Sequence, residues 1–149
     1  MGCKSSKKLP SEITWKDTMS FVPPLSGGRV IKVYDGDTIT IANYMPYKNS
    51  PLYRFSVRIK GIDCPELKTK NINEKLCAKI ARDTLSKKIL KKNVELCNVS
   101  VEKYGRVLAD VIYKGENCGE FLCSKRLAVL YSGGTKTPPD DWMKYYQRG

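Results

Sequence analysis

The sequence predicts a mainly β fold with helices (α+β): a five-stranded Greek-key barrel with an inserted helix and C-terminal helices, the OB arrangement. Three observations predict it. Three segments of strand-like alternation are followed, after an interval, by two more. One stripe of apolar residues at helical spacing fills that interval. A shorter helical pattern follows the last strand.

The chain has 149 residues, enough for one domain to bury a core without staples. Residues 1–26 read as a basic tail of charge, proline and little periodicity. Residues 27–132 read as the barrel domain and 133–149 as a C-terminal extension with a short helix.

The first strand is "RVIKVY", with Ile31 and Val33 expected on one face. "TITIA" follows, with Ile39 and Ile41 opposed to Thr38 and Thr40. The "YDGD" between them supplies a turn in which Gly36 is expected to relieve backbone strain. "FSVRIK" alternates cleanly, Phe55, Val57 and Ile59 against Arg54, Ser56, Arg58 and Lys60.

Asn71 followed by Glu74 resembles a capping box, and the helix continues through Leu76, Cys77, Ile80, Ala81, Leu85 and Ile89. "NVELCNVSV" and "RVLADVIY" are two further strands joined by "EKYG". Their apolar phase changes near Cys97–Asn98, which predicts a bulge. "GEFLCSKRLAVL" reads as one short helix, and Asp140 as the cap of a last helical turn or two.

Composition narrows the chemistry. Lys and Arg number 27 against 15 Asp and Glu, a net charge of +12 that attracts polyanions, so nucleic acid or an anionic membrane leads the expected partners. There is no histidine, which excludes Ser-His-Asp and Cys-His machinery and histidine metal sites. The six cysteines form no CxxC pair and read as free thiols of an intracellular, reducing compartment. No stretch reads as a secretory signal peptide or a transmembrane helix. Nothing indicates an oligomer; a monomer is expected.

The opening "MGCKSS" fits N-myristoylation at Gly2, with Cys3 open to palmitoylation. Lys4, Lys7 and Lys8 add attraction to anionic lipid, so the tail is a candidate membrane anchor; the alternative is a plain basic leader.

Cutting a phosphodiester without histidine calls for acids and arginines brought together at strand ends. Arginine forks bind the phosphoryl oxygens. A hard cation on oxygen ligands polarises the phosphate, and a carboxylate handles the attacking water. The chain offers Asp35 and Asp37 around Gly36, Asp63 and Glu66 around Cys64–Pro65, and the arginines Arg58 and Arg106. Taken singly, each acid is an ordinary turn residue and each arginine an ordinary surface charge. Strict alternation also sets Arg58 and Asp63 on opposite faces, so the set requires a kink at Gly61.

In order and spacing, "VYDGDTI", "R-x-x-G-I-D-C-P-E" and "EKYGRVLADVIY" resemble the signature segments of the staphylococcal nuclease (thermonuclease) family, and "YSGGTK" is also like many of its members. The resemblance implies a calcium-dependent, sugar-non-specific nuclease on an OB barrel, cleaving DNA and RNA to leave 3′-phosphates. It further implies Asp37 and Asp63 as Ca²⁺ carboxylates, with Cys64 ligating through its backbone carbonyl where the family has threonine. Asp35 would stand beside the metal. Arg58 and Arg106 would hold the scissile phosphate and Glu66 act as general base. Lys103 and Tyr104 would contact a terminal phosphate. Arg126 stands where members often have glycine, which leaves the local turn open. The alternative is a catalytically inactive OB-fold nucleic-acid-binding module, with or without a membrane tether; such modules typically lose the acids and arginines that this chain retains.

Overall fold

The computed structural model describes residues 7–149. Gly2 and Cys3 lie outside the described residues. Residues 7–26 contain one 3-10 turn, Trp15–Asp17, and no strand. The regular elements then run β1 Gly27–Asp35, β2 Thr38–Tyr44, β3 Leu52–Ile59, β4 Ile62–Asp63, α1 Ile72–Ile89, β5 Asn93–Val101, β6 Val107–Tyr113, β7 Glu116–Asn117, α2 Cys118–Ser124, β8 Val129–Leu130 and α3 Trp142–Gln147.

Five strands close into a barrel. The ladder runs β3-β2-β1-β5-β6, and a parallel pairing of β3 with β6, Val57↔Val107 to Ile59↔Ala109, joins the two edges. Closure removes the unpaired sheet edge that would otherwise invite association. The interior is filled by Val30, Ile39, Ile41, Val57, Ile59 and Val111, each wholly buried. Helix α1 packs on β1 and α3 through Cys77, Ala81, Leu85 and Ile89, and each large aliphatic chain so buried contributes about 1.5–3 kcal/mol. The α+β barrel with an inserted helix is therefore the fold of this chain.

Several local expectations change. Ile31 does not share the core face with Val33: it is 49% exposed, and Val30 is buried instead. The cause is a pair of register shifts in β1, between Val30 and Lys32 and again between Val33 and Asp35, which insert Ile31 and Tyr34 as extra residues. The bulge expected near Cys97–Asn98 is present, with Asn98 at φ 52°.

Gly36 is glycine for space, since a Cβ there would stand 2.8 Å from Cys64 Sγ and 3.0 Å from Ala81 Cβ. Only half of the capping box forms. Asn71 Oδ1 accepts from the Glu74 N–H at 3.0 Å, but Glu74 Oε2 accepts from the Glu66 N–H at 2.9 Å instead of reaching back.

The second helix ends at Ser124, well short of Leu130. Arg126 then takes φ 58°, a left-handed conformation that stops the helix, and Val129–Leu130 become a strand paired with Ile62–Asp63. Arg126 holds that position by stacking its guanidinium 3.8 Å from the Tyr145 ring centroid and donating from Nε to the Tyr145 carbonyl at 2.6 Å. Finally, Asp141 rather than Asp140 caps α3, its Oδ1 accepting from the Lys144 N–H at 3.0 Å.

Candidate active site

The β1–β2 turn delivers the first two acids. Asp37 Oδ2 accepts from the Cys64 N–H at 3.2 Å, and its Oδ1 accepts from the Thr38 hydroxyl at 3.2 Å. Its own N–H donates to Asp35 Oδ1 at 3.0 Å, and its carbonyl accepts from the Ile59 N–H at 2.8 Å. Burial, and then the neighbouring charge of Asp37, raise the Asp35 carboxyl to about 7.

Arg58 and Asp63 meet because the chain kinks between them. β3 stops at Ile59, Gly61 adopts φ 85°, and β4 resumes at Ile62. Arg58 is 8% exposed. Its Nη2 lies 3.6 Å from Asp37 Oδ2 and 3.7 Å from Asp63 Oδ1. Nη1 donates to the Ile59 carbonyl and Nη2 to the Ile62 carbonyl, each at 3.1 Å, and Tyr131 covers the guanidinium with a ring centroid 5.5 Å away.

Arg106 arrives from the β5–β6 turn, whose Gly105 has φ 86°. Glu102 grips it through Nε and Nη2, and Nη1 donates to Thr38 Oγ1 at 3.3 Å. The hydrogen bond to Glu102 keeps the guanidinium pKa above its usual range despite partial burial. Glu66 is exposed on the segment after Pro65, which the Glu74 carboxylate fastens by its main chain.

One residue of this site was overlooked in the sequence. Lys136 Nζ lies 3.2 Å from Asp63 Oδ1 and 3.4 Å from Glu66 Oε1. Burial works against its charge, but Asp63 and then Glu66 outweigh that and raise its pKa. The signal was there in "YSGGTK", whose Tyr131 covers Arg58 and whose two glycines, both at positive φ, lead the chain to Lys136.

Asp35, Asp37, Arg58, Asp63, Cys64, Glu66, Arg106 and Lys136 thus line one cavity of about 480 Å³. Lys103 and Tyr104 line a second, of about 590 Å³, which shares Arg58, Arg106 and Lys136 with the first.

Asp63 Oδ1 is buried with no well-aligned hydrogen bond, and two cationic groups flank it. Burial is the leading cause of the raised Asp63 pKa, only partly offset by Lys136 and Arg58. Among the described residues no three acidic, cysteine or histidine side chains form a ready cage. The side-chain donors at hand are the carboxylates of Asp37 and Asp63, both oxygen. Such a set suits a hard cation that keeps much of its water.

A closed barrel with acids and arginines gathered in one strand-end cleft is an α+β fold of the OB-like class. Sequence comparison carries this further. The family model described as "Staphylococcal nuclease homologue" matches residues 56–148, and the chain belongs to that family. The match contains Arg58, Asp63, Glu66, Arg106 and Lys136; Asp35 and Asp37 precede it and join the site through the barrel. An "Uncharacterized endonuclease" of Haemophilus influenzae is 31% identical over 110 residues, 74% of this chain and 55% of that protein. The chain spans about half the length of this curated relative.

Proposed function

We propose that this protein is a calcium-dependent nuclease that hydrolyses phosphodiester bonds of DNA and RNA without sugar preference and leaves 3′-phosphates. The observation that carries the reading is the convergence of Arg58 and Arg106 with Asp37, Asp63 and Glu66 on one cavity of a chain with net charge +12. Family membership and the endonuclease relative support it.

Asp37, Asp63 and the Cys64 carbonyl would hold the cation, with Asp35 beside it. Bound there, Ca²⁺ would supply Lewis-acid polarisation of a phosphate oxygen. Cys64 in place of threonine keeps the main-chain oxygen that such a ligand needs. Arg106 has the more exposed fork and binds the non-bridging oxygens as they gain charge; Arg58 supports them from the floor of the cleft. Glu66 orients the attacking water and takes its proton. The 5′-oxygen leaves, and the phosphate stays on the 3′ side. Lys103 and Tyr104 hold the neighbouring phosphate from the second cavity. Contacts confined to phosphate give little base preference.

The tail is read as an anchor on anionic membrane through acylation at Gly2 and Cys3. Lys7 and Lys8, with Leu9, Trp15 and Met19 exposed beside them, support that reading. The five described cysteines are free, in keeping with a reducing compartment, and the protein is taken as a monomer.

The test is degradation of plasmid DNA and single-stranded RNA by the purified protein. Cleavage of both with Ca²⁺ that stops on chelation is expected. Nucleic-acid binding without cleavage in any divalent metal would leave a binding module. For the anchor, a Gly2→Ala variant that stayed on membranes would remove acylation as the cause.

A further inference from the structure

The first cavity continues past the catalytic set, and its continuation has no role in the account above. Strand register shows how. The outward row Asp35↔Thr38↔Arg58 belongs to the site. The next outward row is Lys32↔Thr40↔Ser56, two residues further along each of β2 and β3, or roughly 7 Å. Its floor is small and hydroxyl-bearing.

Lys32, Tyr34 and Lys68, the last on the segment after Pro65, line the same cavity. The β1 bulge at Tyr34 brings that ring out of the core, 42% exposed, with Lys32 Nζ 5.8 Å from its centroid. Among the described residues neither Lys32 nor Lys68 has an ion-pair partner, in contrast to Arg58, Arg106 and Lys136. Lys32, Tyr34 and Lys68 do not line the second cavity, which holds Lys103 and Tyr104 and meets the first only at Arg58, Arg106 and Lys136. The arginine clamp therefore has an arm on each side.

We propose that Lys32, Tyr34 and Lys68 form a nucleotide subsite that takes the residue of the nucleic-acid strand adjoining the scissile phosphate, on the side away from Lys103 and Tyr104. The two ammonium groups bind the next phosphate, and Tyr34 stacks on a base. Roughly 7 Å from row to row is the reach to the next phosphate of an extended strand. Small side chains at Thr40 and Ser56 let the backbone approach the sheet. The subsite rests on the nuclease reading, since it extends the substrate path of that site.

The test is binding of a fluorescent oligothymidylate in excess chelator, titrated over a range of salt concentrations. A Lys32→Ala/Lys68→Ala protein should lose affinity, and the slope of log K against log salt should shrink by about 0.7, the change for one single-strand phosphate contact. Lys79→Ala/Lys87→Ala makes the same change in net charge on exposed α1 positions that line neither cavity, and should leave the slope within about 0.3 of the wild type. Tyr34→Ala should weaken binding about tenfold, and Tyr34→Phe should restore it. Equal slopes for the two double variants, or a Tyr34→Ala protein that binds like the wild type, would overturn the subsite. The nuclease reading is judged separately, by cleavage of plasmid by the wild type with Ca²⁺.

Discussion

Lys136 Nζ stands 3.2 Å from Asp63 Oδ1, a buried oxygen with no well-aligned hydrogen bond. The ammonium comes from a segment far along the chain and occupies the place that the proposed cation would take. It is half-exposed and follows two glycines at positive φ, so it can withdraw. Two unit charges 4 Å apart at an effective dielectric of ~20 interact by about 4 kcal/mol, an upper figure for so accessible a group. Lys136→Met should therefore bind Ca²⁺ about tenfold more tightly by calorimetry, while its chelated form melts lower than the wild type. Unchanged affinity would mean that the lysine and the metal do not compete.

Arg58 and Arg106 should separate when each is replaced by alanine. Both variants should lose turnover by orders of magnitude. Arg58 is also enclosed, bonding two carbonyls and facing two acids, so its loss should cost about 3 kcal/mol or more in urea unfolding. Arg106 lies at the cavity edge, and its variant should unfold close to the wild type. An Arg58→Ala protein of full stability would show that the buried pairings contribute nothing net.

Asp35 gives a pH signature to the metal-free protein. Its folded pKa of about 7 exceeds the ~3.9 of an unfolded aspartate, so between these values the folded state binds the extra proton. The associated stability is complete below pH ~4 and is lost as the pH rises toward about 7. Melting of the chelated wild type should fall across that window, and Asp35→Asn should flatten the fall. A variant with the same pH profile as the wild type would remove Asp35 as the cause.

Arg126 should tolerate glycine better than alanine. Alanine keeps the cost of φ 58°, roughly 1–2 kcal/mol, and loses the clasp on Tyr145. Glycine loses the clasp but relieves the backbone. Urea midpoints should rank wild type near Arg126→Gly, and both above Arg126→Ala. An alanine variant as stable as the glycine one would show that the turn is unstrained.

Much of the barrel was legible because period-two alternation records burial directly. Phe55, Val57 and Ile59 point inward as their spacing requires. Where it failed, a local backbone choice intervened. The bulges of β1 reversed Ile31, and a left-handed Arg126 cut α2 short and freed Val129–Leu130 to pair with β4. Neither follows from periodicity, since non-glycine residues reach such conformations only when tertiary contacts hold them.

By itself the sequence determined which chemistry was available. It supplied no histidine, a large positive surplus, and carboxylates and arginines in three ordered segments, because residue type alone sets charge and donor chemistry. Only the tertiary structure decided which of those groups meet. Barrel closure sets Arg106 against Thr38, and the kink at Gly61 turns Asp63 toward Arg58. The segment after β8 carries Lys136 back onto Asp63. Such contacts join residues dozens of positions apart, and it is burial and chain closure, not local spacing, that bring them within reach of one another.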